Sequence, residues 1–406
     1  MRISTSMLYE ANVTAMNQQQ SLLLQTQQQL ATGIRLTNPS IDPSASVQVL
    51  DATQANASNT QYTANRNAAQ STLTQMDSTL QGVTSTLQSV RSEMVTAASS
   101  TLTNADRKNI ATNLNAQLQQ LVSLANSTDG SGNYLFSGFQ SKTQPFANTA
   151  AGYAYFGDDG QKLTQVSSNL QIGTVQSGAD IFMRVKNGNG TFATQAAATN
   201  TGSGVASQGS VTNPALLTGN SYSVAFSVAA GVTTYSVTNT TTGLPVAGMT
   251  GQPYTSGQAI GFDGMQFSVT GSPANGDQFT VAPSSNVSLF KNIADLANVL
   301  STPVTAGNVA QTAAISASVA NAISNLDQGI SNVSNANATV GTNLQLITAT
   351  QAMGDSLSVN YQQTISQLQD TNYTQAATTL AQQTLALQAA QKSFAQVSNL
   401  SLFTYI

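Results

Sequence analysis

The sequence contains no cysteine, no histidine and no tryptophan. Each absence removes a class of chemistry. Without cysteine there is no disulfide framework, no thiolate zinc site and no thiol nucleophile. Without histidine there is no Ser-His-Asp triad, and the commonest metal ligand and near-neutral proton switch are missing. Charge is scarce too. Only 7% of residues are Asp, Glu, Lys or Arg, where soluble domains average about 25%. The 12 basic residues are outnumbered by 16 acidic ones, and no positive side chain lies between Lys291 and Lys392. That balance is wrong for nucleic acid, which needs clustered Lys and Arg. No run of about 18 apolar residues occurs, so no membrane insertion is predicted. The opening Met1-Arg2-Ile3-Ser4-Thr5-Ser6 leads into polar Asn12, Asn17 and Gln18, so no secretory leader is predicted. Gln, Asn, Ser, Thr and Ala fill what charge leaves empty.

Helical periodicity marks both ends of the chain. Tyr9, Val13, Met16, Gln20, Leu23, Gln27, Leu30 and Ile34 recur in steps of four and three, a heptad seam that holds two glutamines. Gly33 to Pro39 ends that helix. Asp42 is placed as an N-cap, with Pro43 at the first helical position of the next. The second seam is Leu73, Met76, Leu80, Val83, Leu87, Val90, Met94 and Ala97. A third helix starts near Thr103, with Asp106 at capping-box spacing, and carries Ile110, Leu114, Leu118 and Leu121. Helix returns after Pro303 with a long stripe from Ile315 to Ile347 and a weak break at Asp370 to Tyr373. The last helix holds Ala376, Leu380, Gln383, Leu387, Ala390, Phe394 and Val397 in steps of four and three.

The middle is different. From about 140 to 285 glycine is frequent and helical spacing is lost. Tyr222, Val224, Phe226 and Val228 alternate with small or polar residues, Gly231 turns the chain, and Tyr235 and Val237 return. Ile260 and Phe262 precede the turn dipeptide Asp263-Gly264, after which Met265, Phe267 and Val269 alternate. Phe279 and Val281 give one more strand. Strand, turn and strand without intervening helices predict an antiparallel β domain. The fold class is therefore mainly α with an inserted β domain.

Signals for chemistry are thin. Asp158-Asp159-Gly160 has a fragment of a calcium loop but lacks the alternate oxygen ligands, and reads as a turn. Lys186-Asn187-Gly188-Asn189-Gly190 lacks the Lys-Ser/Thr of a phosphate cradle and reads as a hairpin loop. Gly202-Ser203-Gly204 sits in no βαβ unit. The two glutamates, Glu10 and Glu93, are far apart. No catalytic, cofactor or metal site is predicted. The terminal seams say more. Ordinary coiled coils flank the seam with Glu and Lys; here the flanks are Gln, Ser, Thr and Asn. Such uncharged helices are either low-complexity tails or helices buried on several sides, where charge would be costly.

Particular motifs resemble the flagellin superfamily, and within it the hook-associated proteins of the hook–filament junction. The start Met1 to Tyr9 is similar, as are Leu30-Ala31-Thr32-Gly33-Ile34-Arg35-Leu36 and Pro39-Ser40-Ile41-Asp42-Pro43. Asp106-Arg107 and Ala125 to Gly130 lead to Tyr134-Leu135-Phe136-Ser137-Gly138-Phe139 and Pro145-Phe146, a stretch that ordinary flagellins usually lack. Leu400-Ser401-Leu402-Phe403 resembles the superfamily's C-terminal signature. Ile41 and Thr342 stand where the family often has Asp and Arg.

The resemblance implies a structural adapter that leaves the cell unfolded through the flagellar type III export channel and assembles as a ring between hook and filament. It implies three parts: a terminal coiled-coil inner-tube domain (1–40 with 370–406), a helical bundle (41–146 with 286–369) and an outward β domain (147–285). Implied partners are further copies of itself, the first hook-associated protein (FlgK), flagellin and a cytoplasmic export chaperone; the location is the extracellular flagellum. Expected packing residues are Val13, Met16, Leu23, Leu30, Leu380, Leu387, Phe394, Val397 and Leu400. The alternatives are a flagellin filament subunit and a secreted β-domain adhesin on a helical stalk.

Overall fold

A computed structural model of the chain describes residues 5–99, 101–150 and 152–399. Six α-helices are present among them: α1 (Thr5–Thr32), α2 (Pro43–Ala97), α3 (Asn104–Ala125), α4 (Leu289–Ser301), α5 (Val309–Gln369) and α6 (Tyr373–Asn399). Their ends follow capping chemistry. The Asp42 carboxylate accepts the Ala45 N–H at 3.0 Å, ahead of Pro43 in α2. Thr103 and Asp106 close a capping box at the head of α3. Gly33 follows α1 at φ +72°, a conformation open to glycine because it has no Cβ. The Asn372 side chain accepts the Gln375 N–H at 3.2 Å at the head of α6.

The chain divides into two compact units. One comprises residues up to Asn65 and from Ala349 on; the other is Arg66–Thr348. In the second, the α2 seam from Leu73 to Ala97 is buried throughout. It packs with Ile110, Leu114, Leu118 and Leu121 of α3 and with Val319, Leu326, Val333, Val340 and Ile347 of α5. The helical return begins earlier than Pro303. α4 precedes it, capped by Ser288, and buries Leu289, Phe290, Ile293, Leu296, Ala297 and Leu300. At 13 residues it is short and abuts the β-rich stretch, so its period is easily lost.

A second difference lies between Phe146 and Val185. The sequence reading gives this stretch to the outward domain from 147 on. Its apolar residues Phe146, Val166, Ile172, Ile181, Phe182 and Val185 instead join the helical core. Phe146, Phe182 and Phe290 form an aromatic cluster with centroids 5.1–5.5 Å apart. The buried Arg66 guanidinium donates to the Val166 carbonyl at 2.8 Å.

The β domain has its own core, from Phe192 to Val281. Its larger sheet runs Leu244–Pro245, Val232–Asn239, Tyr222–Ala229, Gln278–Pro283, Phe192–Ala196, with Gln252–Pro253 also on Val232–Asn239. Every pairing is antiparallel. The second sheet pairs Ala259–Phe262 with Met265–Thr270 through the Asp263-Gly264 turn, both residues at positive φ. That is the two-residue hairpin geometry whose twist matches the strands.

In the first unit α1 and α6 pack antiparallel. Tyr9 meets Phe394 at one end and Ile34 bridges Asp370 at the other. The early part of α2 lies on the late part of α5, where Asn59 Nδ2 donates to the Gly354 carbonyl at 2.7 Å. The face of α1 that packs is rotated from the heptad reading. Gln20 and Gln27 are exposed, Gln19 is half-buried and Thr26 is 5% exposed. Thr26 folds its hydroxyl back onto the Leu22 carbonyl at 3.0 Å, so it enters the seam with its polar atom satisfied.

Candidate assembly surface

The packing residues expected on α1 (Val13, Met16, Leu23 and Leu30) and on α6 (Leu380, Leu387 and Phe394) are all half-buried. They lie on helices that pair within the chain itself. The Val397 side chain and Leu400 lie outside the described residues. The seam carries an unsatisfied polar atom: Gln383 Oε1 is buried without a hydrogen-bond partner.

The large apolar residues left in solvent are others. Leu24 on α1 and Leu385 on α6 are 58% and 68% exposed. Val47 and Leu50 share one face of α2 at i, i+3, and Met353 and Leu357 share one face of α5 at i, i+4; all four are exposed. The seam reading passed over them because it follows a single stripe. The signal was present in the triplet Leu22-Leu23-Leu24, since three adjacent leucines span more arc than one helix partner can cover. With so few charges, these leucines face a surface of amides and hydroxyls. The arrangement suits burial by further helices.

The candidate chemical motifs resolve into structural roles. Asp158 Oδ1 accepts the N–H groups of Phe139 and Gly160, each at 2.8 Å, which fixes a turn. A Cβ on Gly160 would meet the exposed Phe139 ring, which would have to swing aside. Asp159 and Asp180 each pair with Arg184 at 2.6 Å. Those two hydrogen bonds raise the Arg184 pKa, and Arg184, with help from the Ser177 hydroxyl, holds Asp159 below the usual carboxylate range. The cleft beside them, about 450 Å³, is lined by these carboxylates and by Gln176, Asn332 and Asn335. Arg184 offsets one of the cleft's two negative charges and occupies both carboxylates. In the 186–190 loop the Gly188 N–H, which a phosphate would need, donates to Asn325 Oδ1 at 2.9 Å. No group of three metal-ligating side chains occurs among the described residues.

The helical seams, the separate β core and the exposed apolar faces can be set beside known proteins. The model of the bacterial flagellin N-terminal helical region matches residues 3–141. That of the flagellar hook-associated protein 1 D2-like domain matches 195–283, which overlaps the separate β core. The solved flagellar hook-associated protein 3 from Legionella pneumophila is 30% identical, with a TM-score of 0.75; the alignment covers 98% of that chain and 78% of this one. The chain belongs to the flagellar hook-associated protein 3 (FlgL) family. Xanthomonas campestris FlgL is 31% identical, with a TM-score of 0.71 over 98% of its chain and 77% of this one. Hook-associated protein 3 of Salmonella typhimurium is 34% identical over 182 residues, 45% of this chain. The chain spans 57% of the length of the curated relatives it matches. The Tyr134–Phe139 stretch places Leu135 and Phe136 in the helical core and leaves Phe139 67% exposed.

Proposed function

We propose that this FlgL-family chain is a structural adapter of the bacterial flagellum that joins hook to filament. The observation that carries the reading is the alignment over essentially the whole of solved relatives, among them the flagellar junction protein FlgL from Legionella pneumophila. The chain is no enzyme in this reading; its work is mechanical. Further copies bury the exposed faces around Leu24, Leu50, Met353 and Leu385 and close a ring. The α1–α6 pair lines the inner tube, the helical bundle forms the next layer and the β domain points outward. FlgK lies on the hook side and flagellin on the filament side. The chain leaves the cell through the type III export channel, held beforehand by a cytoplasmic chaperone at its C-terminal helices. Absence of disulfides and scarcity of charge support threading followed by helix burial.

Electron microscopy of a deletion strain tests this. Loss of the adapter leaves hooks that shed flagellin into the medium. Loss of a filament subunit would instead leave complete junctions without filament, and that result would favour the flagellin reading.

A further inference from the structure

Two chain crossings link the terminal helix pair to the rest of its unit. One runs from Gly33 to Asp42, between α1 and α2; the other is Asp370 to Asn372, between α5 and α6. The crossings are tied to each other. Ile34 and Asp370 form an antiparallel bridge. The Arg35 N–H donates to the Gln369 carbonyl at 2.7 Å, and the Thr371 N–H donates to the Gly33 carbonyl at 2.9 Å. Gln29 Nε2 donates to the Arg35 carbonyl at 2.8 Å, and the Thr371 hydroxyl donates to the Gln29 carbonyl at 3.3 Å.

Arg35 stands at the centre. Its guanidinium donates to the Leu368 carbonyl at 2.7 Å, one of the carbonyls that the end of α5 leaves without a helical donor. The same guanidinium lies 3.7 Å from the Asp42 carboxylate that caps α2. One side chain therefore ties the end of α5 to the start of α2, while its own backbone ties the end of α1 to α5. Gly33 brings the first crossing close to α6: a Cβ there would sit 3.0 Å from the Tyr373 hydroxyl. In a chain where 7% of residues are charged, Arg35, Asp42 and Asp370 all fall at this point.

We infer that the two crossings form a single clamped joint, so that α1 and α6 reorient together as one lever, and that Arg35 sets how freely the lever turns. A free three-residue link would bend by itself. Here, bending one crossing without the other breaks both inter-crossing backbone hydrogen bonds, so the low-energy motion keeps them together. This coupling does not depend on which partners the chain joins.

The absence of cysteine makes the test direct. Spin labels on Gln18→Cys with Gln382→Cys report the distance between the two terminal helices. Labels on Gln18→Cys with Gln54→Cys report the distance across the joint; all three sites are exposed. Pulsed electron double resonance is run on the full chain, with and without Arg35→Gln. The expected result is that Arg35→Gln broadens the distribution across the joint about twofold and leaves the distribution between the terminal helices unchanged. Asp42→Asn, which keeps a capping side chain, gives a smaller broadening of the same distribution and serves if Arg35→Gln disturbs folding. Equal broadening of both distances would show that the crossings are not coupled. No change in either variant would show that Arg35 does not control the joint.

Discussion

The ring of Tyr9 lies 4.9 Å from that of Phe394, tilted by 54°, and so joins the two ends of the chain. Phe394 is half-buried while Tyr9 is 54% exposed. The contact therefore closes the outer end of the α1–α6 pair and still presents an aromatic face. Replacing Phe394 by Ala removes the aromatic pair and part of its burial, about 1–2 kcal/mol of local stability. Amide exchange should accelerate about tenfold or more near Tyr9 and Phe394 and stay unchanged in α3.

Two leucines on α6 separate folding from assembly. Leu387 is half-buried in the pair with α1, so Leu387→Asp places an unpaired charge in the chain's own seam, at a cost on the order of a few kcal/mol. Leu385 is 68% exposed, so Leu385→Asp should shift the chain's stability by no more than about 0.5 kcal/mol. Leu385→Asp should melt as wild type, be secreted normally and fail to retain flagellin. Secretion is measured separately, because a chaperone gripping the same stripe would respond to either change. Normal swimming with Leu385→Asp would remove this face from the assembly contact.

The boundary of the β domain sets which deletion survives. Removing 150–285 takes Val166, Ile172, Phe182 and Val185 out of the helical core, each worth about 1.5–3 kcal/mol when buried. That variant should lose cooperative melting. Removing 188–284 instead spares them. The Asn187 N–H donates to the Ser285 carbonyl at 3.0 Å, so a two-residue turn can close the gap. Calorimetry should then show the helical core melting near its original temperature.

Stability should be flat across about pH 5–8, because there is no histidine to titrate. Acid is different. The Thr103 hydroxyl and N–H hold Asp106 below the usual carboxylate range, as the Arg184 guanidinium does for Asp159. A carboxyl with a lowered folded pKa adds stability that is complete above its unfolded value, about 3.9, and is lost as pH falls through the lower folded value. The melting temperature should therefore fall only below about pH 4. A step near pH 6.5, the ordinary histidine value, would contradict this.

The most legible parts of the sequence were those where large apolar residues repeat at one period. The Leu73–Ala97 seam is buried along its whole length, and the Asp263-Gly264 hairpin and the Thr103–Asp106 box form as read. What failed to show were contacts made by small or polar residues. Thr26 rather than Gln27 enters the α1 seam, one position off the strict four-and-three steps. The stretch from 147 to Val185 reads as part of the outward β domain because its short strands and turns hide a few apolar anchors. The joint at Arg35 did not show either, since its partners Leu368 and Asp42 come together only after folding.

One measurement bears most directly on the adapter role. Thr242 is exposed on the β domain, and the chain has no native cysteine, so Thr242→Cys can carry a single gold label. Flagella built with the labelled protein are viewed by electron microscopy. The account predicts gold in one band at the hook–filament junction and nowhere else. Gold along the length of the filament, or none on the flagellum, would contradict it.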